Sequence, residues 1–263
     1  MCRAHNPSAP PQARNIPFRC LRQLNDDTQR LLVSAGRSRT IVKRLISHYF
    51  DSDRMHDRLV RELASREAMA FKEIVEAIEF FDYVRGRVRA PHVADLCCSH
   101  GLVGILFALF ERRVARVTLV DKARPPSFDR VLESAVSVGP WVADKVTYHA
   151  SRLNAAAGLL DPGVSIVATH ACATLTDRCI DLAISLRSPV AVMPCCYHVK
   201  DSRAPEVLNQ QLGFRKAMDV DRTYRLKNAG YQVRWGAIPE AITPMNRIIV
   251  GTLGDENGNR ESQ

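Results

Sequence analysis

The sequence predicts an α/β fold, namely a Rossmann-like parallel sheet that ends in an antiparallel hairpin and follows a helical N-terminal extension. Three observations support this prediction. Short apolar runs alternate with helical stretches from residue 93 onward, two of these runs end at an acid (Asp95 and Asp121), and the last two runs leave no room for a helix between them. Alternating strands and helices are typical of parallel sheets, whereas strands joined by a short loop pair antiparallel.

Length and composition limit the classes of protein to consider. The chain has 263 residues and is 46% hydrophobic, which is enough for one large core. No apolar run approaches the roughly 20 residues that a membrane-spanning helix needs, so we expect no membrane partner. Eight cysteines include two adjacent pairs. Without a secretory signal, they indicate reduced thiols and a cytoplasmic location.

The first 90 residues divide into a tail and a helical extension. Four prolines interrupt residues 1–25, which predicts a disordered basic tail. Apolar residues at helical spacing predict a helical extension over residues 26–90. Residues 1–90 hold 17 basic and 11 acidic residues, so +6 of the net charge of +9 lies there. This bias favours RNA as a partner of the extension, and a solvated basic surface explains it equally well.

Residues 91–253 predict one α/β domain, followed by a polar tail over 254–263 that we expect to be disordered. The first strand is expected to end at Asp95. Six further strands are expected over residues 114–120, 145–149, 164–169, 190–193, 231–237 and 246–253. Helical stretches are expected over residues 102–110, 128–138, 153–160, 175–186 and 204–228. Gly213 is expected to break the last of these, and Gly230 to end it.

The loop after the first strand predicts a nucleotide-binding turn. A dinucleotide loop would have glycines where Cys97 and Ser99 stand, and only Gly101 remains. At the end of the second strand, the Asp121 carboxylate is placed to accept hydrogen bonds from two ribose hydroxyls. The loop has no Arg or Lys for a pyrophosphate, so a ligand with a ribose and no phosphate, such as S-adenosylmethionine (SAM), fits it better. The alternative is a βαβ unit whose loop binds nothing.

Two later strand ends are dense in polar and reactive side chains. Residues 170–177 read His-Ala-Cys-Ala-Thr-Leu-Thr-Asp, and residues 194–198 read Pro-Cys-Cys-Tyr-His. This pair resembles the His-x-Cys-Gly-x-x-Thr-Asp and Cys-Cys-x-His motifs of a branch of the class I SAM-dependent methyltransferases. The branch includes tRNA 2′-O-methyltransferases that act on the acceptor stem. The resemblance covers roughly residues 70–253, and Ala173 stands where the family has glycine.

The resemblance implies a seven-stranded class I methyltransferase sheet and a SAM-dependent methyltransferase acting on RNA, either tRNA or rRNA. It implies cofactor contacts from the first two strand ends and from the end of the third: Asp95, Cys97, Ser99, Gly101, Asp121, Lys122 and Arg152. It implies that His170 and Asp177 flank the methyl donor and that residues 194–198 form the wall facing the acceptor. The catalytic candidates are therefore His170, Asp177, Cys195, Cys196 and His198. A buried structural histidine and a carboxylate that caps a helix are the alternatives for His170 and Asp177.

The cysteines leave three interpretations open. Cysteines at neighbouring strand ends could bind a metal together with His198, but their spacing matches no standard zinc pattern, so we predict no metal. Cys195 after Pro194 is similar to the nucleophile of RNA cytosine-5 methyltransferases. Small buried thiols that pack beneath the cofactor are the third interpretation. For the whole chain, the alternatives are a small-molecule methyltransferase and a catalytically inactive methyltransferase-like binding protein.

Overall fold

The computed structural model of the chain describes residues 16–26 and 39–254. Seven strands form a single sheet in the order β3-β2-β1-β4-β5-β7-β6. They are β1 (His92–Leu96), β2 (Arg116–Asp121), β3 (Val146–Ala150), β4 (Ser165–Ala168), β5 (Val190–Val192), β6 (Tyr231–Ala237) and β7 (Arg247–Leu253). The first five strands run parallel, and β7 pairs antiparallel with both β5 and β6. The predicted fold class, including the C-terminal hairpin, is confirmed.

Eight α-helices lie in the described part of the chain. They are α1 (Arg39–Tyr49), α2 (Met55–Ser65), α3 (Phe71–Val88), α4 (Leu102–Phe110), α5 (Ser127–Val138), α6 (Thr174–Ser185), α7 (Glu206–Leu212) and α8 (Phe214–Asn228). The stretch Leu153–Leu159, expected to be helical, is a 3-10 helix. Within residues 16–26 and 39–254, no helix combines the length and apolar character needed to cross a membrane.

Two apolar clusters, one on each face of the sheet, hold these elements together. One cluster includes Phe81 of α3 and Phe107 of α4, whose rings meet edge to face with centroids 5.0 Å apart. The other includes Ile180 of α6 and Leu226 of α8. The predicted helical extension therefore packs on the sheet domain through α3, which contacts α4 and β7.

The N-terminal segment is more ordered than the sequence predicts. Phe18, Leu21 and Leu24 are buried in the first cluster. The carboxylate of Glu79 on α3 accepts hydrogen bonds from the backbone N–H groups of Arg19, Cys20 and Leu21. The prediction of a disordered tail is thus wrong for residues 16–25. The rest of that tail, the expected helix over 27–38 and the tail over 255–263 lie outside the described residues.

Glycines fix two boundaries and one close contact. Gly213 has φ +75° and separates α7 from α8, and Gly230 at φ +89° follows the end of α8, as predicted. A Cβ at Gly104 would clash with a Leu119 methyl group, so glycine allows α4 to pack directly on β2. This contact fixes the start of α4 next to the loop that follows β1.

Candidate cofactor and acceptor site

The loop after β1 has the backbone of a glycine-rich loop without most of its glycines. Cys97, Ser99 and Gly101 have φ values of +54°, +50° and +75°. Cys97 and Ser99 thus hold the conformation that the two replaced glycines would adopt easily, at a cost of roughly 1 kcal/mol or more each. Three of the five residues Cys97–Gly101 therefore have the left-handed backbone that glycine favours, two of them without being glycine.

Asp121 ties this loop to the end of β2. Its Oδ2 accepts a hydrogen bond from the Ser99 backbone N–H over 2.8 Å. The Tyr148 hydroxyl on β3 adds a second tie, because it donates to the carbonyl oxygens of Ala123 at 2.9 Å and Ser99 at 3.1 Å. Three adjacent strand ends are therefore joined through one loop.

Asp95 lies at the start of the loop, fully buried. Its Oδ2 accepts the Gly104 N–H over 2.9 Å, and its Oδ1 has no hydrogen-bond partner among the described residues. Burial, opposed by the Gly104 N–H and aided by the nearby Asp121 charge, raises the pKa of Asp95 to about 7. An unpartnered buried oxygen is costly and marks a place where a bound group could complete the hydrogen bonding.

A cavity of about 910 Å³ opens beyond the carboxyl ends of these strands. Six of the residues that the sequence singled out line it: Cys97, Ser99, Asp121, Lys122, Arg152 and His170. Its volume and its place beyond the strand ends are typical of ligand sites in open α/β sheets. Asp95, near the end of β1, and Gly101, at the end of the loop, do not line the cavity.

The two histidines of the motifs occupy different environments. His170 lines the cavity, and burial lowers its pKa, which favours the neutral imidazole. His198 is exposed and does not line the cavity. Of the two, His170 is the histidine that a ligand in the cavity would meet.

Asp177 is part of a buried ionic network rather than the cavity wall. Its Oδ2 binds Arg222 at 2.8 Å, and its Oδ1 binds Arg225 at 2.7 Å. Arg222 is fully buried and also pairs with Asp219, whose other oxygen binds Arg247 at 2.7 Å. The expectation that Asp177 flanks the methyl donor is therefore not supported by its position.

The network also holds the 194–198 segment. The Tyr197 hydroxyl donates to Oδ2 of Asp219 over 2.8 Å. Next to Tyr197, Cys195 and Cys196 lie close to Cys172 from the loop after β4, with all three sulfur atoms within 4.8 Å of one another. Burial raises the pKa of the Cys195 thiol well above its usual range. A neutral thiol is a poor nucleophile, so this environment argues against a covalent role for Cys195.

The sequence is similar to a small set of known proteins. No protein-family model matches the chain. The glutathione S-transferase C-terminal domain-containing proteins of Xenopus laevis and Homo sapiens are 26% identical over 195 residues and 23% identical over 194 residues. These matches cover 61% and 60% of this chain, and the chain spans about 30% of the length of these curated relatives.

Solved structures resemble the fold at low sequence identity. A structural-genomics target from Corynebacterium glutamicum has a TM-score of 0.50 at 13% identity, covering 78% of this chain and 93% of that one. A provisionally assigned O-methyltransferase of Klebsiella pneumoniae has a TM-score of 0.48 at 12% identity, covering 82% and 97%. The match to the Corynebacterium structure supports the α/β fold. Identities this low bear on the fold alone, so the function of the chain has to be argued from its site.

Sequence reasoning missed several residues that line the cavity. Glu73 reaches it from α3, and its carboxylate lies 3.8 Å from the His100 imidazole. Ser151, Asn154 and Arg178 complete its polar wall. Glu73 gave no signal because one acid on an amphipathic helix looks like any solvated residue. Ser151 directly follows the third strand, where cofactor contacts were expected, and Asn154 lies two residues beyond the predicted Arg152.

Proposed function

We propose that the chain is a SAM-dependent methyltransferase that acts on RNA, either tRNA or rRNA. The observation that carries the proposal is the contact between Ser99 and Asp121 at the edge of the 910 Å³ cavity. One Asp121 oxygen orders the loop, and the other has no hydrogen bond among the described residues. That free oxygen can accept hydrogen bonds from ribose hydroxyls.

The residues present fit SAM. Asp121 would hold the ribose, and Ser151 with Arg152 would lie near the adenine. Cys97 and Ser99 of the loop line the cavity and would lie at the methionine end. When bound, SAM would supply its sulfonium methyl group to the attacking acceptor atom, with S-adenosylhomocysteine as the leaving group.

The chain's own residues would position the acceptor and remove its proton. His170 is the proposed base, since it lines the cavity and one imidazole nitrogen can take a proton from the acceptor heteroatom. Cys195, Cys196 and His198 are proposed to border the acceptor side, held in place by Tyr197 and Asp219. Asp177 would act on this wall only indirectly, through Arg222. Most of the rate enhancement would come from positioning.

The arginines just before β1, namely Arg85, Arg87 and Arg89, do not all support an RNA acceptor. The support comes from a basic concave surface formed by Arg87 and Arg234. Arg85 and Arg89 both form ion pairs with the buried Glu111, at 3.1 and 3.2 Å, so Glu111 partly neutralises their charges. Arg87 and Arg234, by contrast, line a shallow pocket of about 310 Å³ beside Gln232 and Thr252. Two guanidinium groups beside polar side chains suit a phosphate group.

The inactive alternative predicts that the chain binds S-adenosylhomocysteine without transferring a methyl group, whereas the proposal predicts both. A cytoplasmic location is part of the proposal, supported by seven described cysteines that are all free.

Isothermal titration calorimetry with S-adenosylhomocysteine tests the cofactor. We expect one site per chain with micromolar affinity. Absence of heat and of any thermal stabilisation by S-adenosylhomocysteine would refute the cofactor and the enzyme together. Tritium transfer from labelled SAM to total tRNA and rRNA, beside a small-metabolite pool, then separates the RNA acceptor from a small molecule.

A further inference from the structure

Three cysteine side chains from two strand ends converge at one point. Cys172 lies in the loop between β4 and α6, and Cys195 with Cys196 follows β5. Strands β4 and β5 pair in parallel, so their carboxyl ends meet at the same edge of the sheet. The Cys172 and Cys195 sulfur atoms are 3.1 Å apart, and all three sulfur atoms lie within 4.8 Å of one another.

Backbone hydrogen bonds hold both loops that carry these cysteines. The Cys172 N–H donates to the His170 carbonyl at 2.9 Å, and the Cys172 carbonyl accepts from the Leu175 N–H at 3.0 Å. The Met193 N–H donates to the Ala168 carbonyl at 3.0 Å, which ties the two loops together just before the cysteines. The fold therefore fixes the backbone from which the three thiols project toward one another.

The geometry explains why residue spacing alone argued against a metal. Adjacent residues in a regular strand point to opposite faces, so the thiols of Cys195 and Cys196 would point away from each other and could not bind one ion. Residues 194–198 have left the strand, and there the two thiols converge. The third sulfur comes from 23 residues upstream, a separation that no short motif records.

We propose that Cys172, Cys195 and Cys196 bind a Zn²⁺ ion through three thiolates, with the fourth coordination position open. Zn–S bonds of about 2.3 Å in a tetrahedron place the sulfurs about 3.8 Å apart, within the span observed here. Binding releases the thiol protons to solvent, and no electrons are transferred. Cys172 is exposed and also lines the 910 Å³ cavity, so the ion would lie at the border of that cavity. Three protein ligands and one open position are typical of a zinc that binds a further molecule.

The competing chemistry is a disulfide between Cys172 and Cys195. It would require loss of two electrons to an external oxidant and would leave Cys196 without a role. In reducing buffer the two alternatives are distinguishable, because only a metal site binds a soft divalent cation stoichiometrically.

Metal binding to the full chain tests the proposal in buffer that contains a non-chelating phosphine reductant. Zn²⁺ content is measured by atomic emission, and Co²⁺ is titrated as a spectroscopic probe. We expect one ion per chain and a sulfur-to-cobalt charge-transfer band whose intensity corresponds to three thiolates. Cys172→Ser, Cys195→Ser and Cys196→Ser should each weaken binding on the order of 100-fold and reduce the band. Cys20→Ser, a half-buried cysteine in the N-terminal segment, is the matched control and should change neither.

The exposed position of Cys172 protects the test against misfolding, since its replacement removes no core side chain. Circular dichroism melts of each variant identify any that do not fold. If the Cys195 or Cys196 variant is unfolded, metal binding by Cys172→Ser alone tests the proposal. Wild-type protein that binds less than 0.2 ion per chain would overturn the proposal, as would a cobalt band that all three variants leave unchanged. S-adenosylhomocysteine calorimetry on the same samples keeps this outcome separate from failure of the cofactor proposal.

Discussion

The backbone N–H of Ser99 donates a 2.8 Å hydrogen bond to Oδ2 of Asp121, which joins the loop after β1 to the end of β2. The same carboxylate lines the cavity, so one side chain both orders the loop and faces the proposed cofactor. Loop order and cofactor affinity should therefore depend on each other.

Replacement of Asp121 tests this dependence. Asp121→Ala should weaken S-adenosylhomocysteine binding by about 1.5 to 3 kcal/mol, roughly 10- to 150-fold, because the ribose loses its acceptor and the loop loses its tie. Asp144→Ala removes an exposed acid outside the cavity lining and should bind like wild type. Calorimetry gives both affinities. Equal affinities of the two variants would remove Asp121 from the cofactor site.

Ala173 offers a test of backbone strain. It has φ +53° and ψ −124°, a conformation that glycine adopts easily and alanine does not. Ala173→Gly should therefore stabilise the protein by about 1 kcal/mol. Ala143→Gly is the control, since Ala143 is exposed with helical φ −56° and should lose stability on the same change. Urea unfolding measures both, and destabilisation by Ala173→Gly would show that the alanine side chain contributes more than the strain costs.

The sequence was a good guide to the strands and a poor one to side-chain partners. Buried parallel strands are continuous apolar runs, so β1, β2, β4 and β5 were predictable along with the hairpin. The left-handed backbone at Cys97 and Ser99 was not, because cysteine and serine rarely adopt positive φ. Only tertiary structure imposes that conformation on them.

Long-range pairing accounts for the other errors. Asp177 looked catalytic because its partner Arg222 lies 45 residues away on another helix, where no spacing rule finds it. The order of residues 16–25 was missed because Glu79, which accepts the backbone N–H groups of residues 19–21, lies about 60 residues away in the sequence. The cysteine cluster was considered and rejected on motif spacing, because its ligands come from two separate loops that meet only where β4 and β5 end together.

Asp177 should therefore matter for stability. Asp177→Asn removes the charge that faces two guanidinium groups and leaves fully buried Arg222 with Asp219 alone, so we expect a loss of about 3 to 5 kcal/mol. Asp181→Asn on the same helix breaks a half-exposed pair with Arg225 and should cost at most about 1 kcal/mol. Urea unfolding separates the two. Wild-type stability in Asp177→Asn, with methyl transfer abolished, would restore the catalytic interpretation.

Asp95 predicts a pH dependence of stability. Its pKa is about 7 in the folded chain against a usual value of 3.8, so between these values the folded state holds a proton that the unfolded state releases. The stabilisation of the folded state by this proton is fully present below pH 3.8, falls as the pH rises, and is lost above pH 7. The change in the free energy of unfolding is on the order of 4 kcal/mol.

Asp95→Asn carries no titrating proton and isolates this contribution from other groups. The stability of the variant relative to wild type, measured by urea unfolding from pH 5 to 8, should rise with pH. A difference that stays constant across this range would mean that Asp95 is ionised throughout, with an unobserved partner for its Oδ1.

The proposed RNA surface can be tested by its charge. Arg87→Ala with Arg234→Ala removes two cations from the concave surface and leaves the Arg85 and Arg89 pairs with Glu111 intact. Each phosphate contact contributes roughly 0.7 to 0.9 to the slope of log affinity against log salt, so the double variant should lower the slope by about 1.5. Filter binding of total tRNA across a salt series measures it.

The matched control for this test is Arg112→Ala with Arg130→Ala, which removes the same charge from two other exposed positions. If RNA binds through a defined surface, the control should keep a slope close to that of wild type, whereas attraction to net charge alone would lower both variants equally. The distinction matters because the chain carries a net charge of +9 and will attract any polyanion at low salt. Equal slopes for the two double variants would leave the cavity as the only argument for a methyltransferase and make a small acceptor the better proposal.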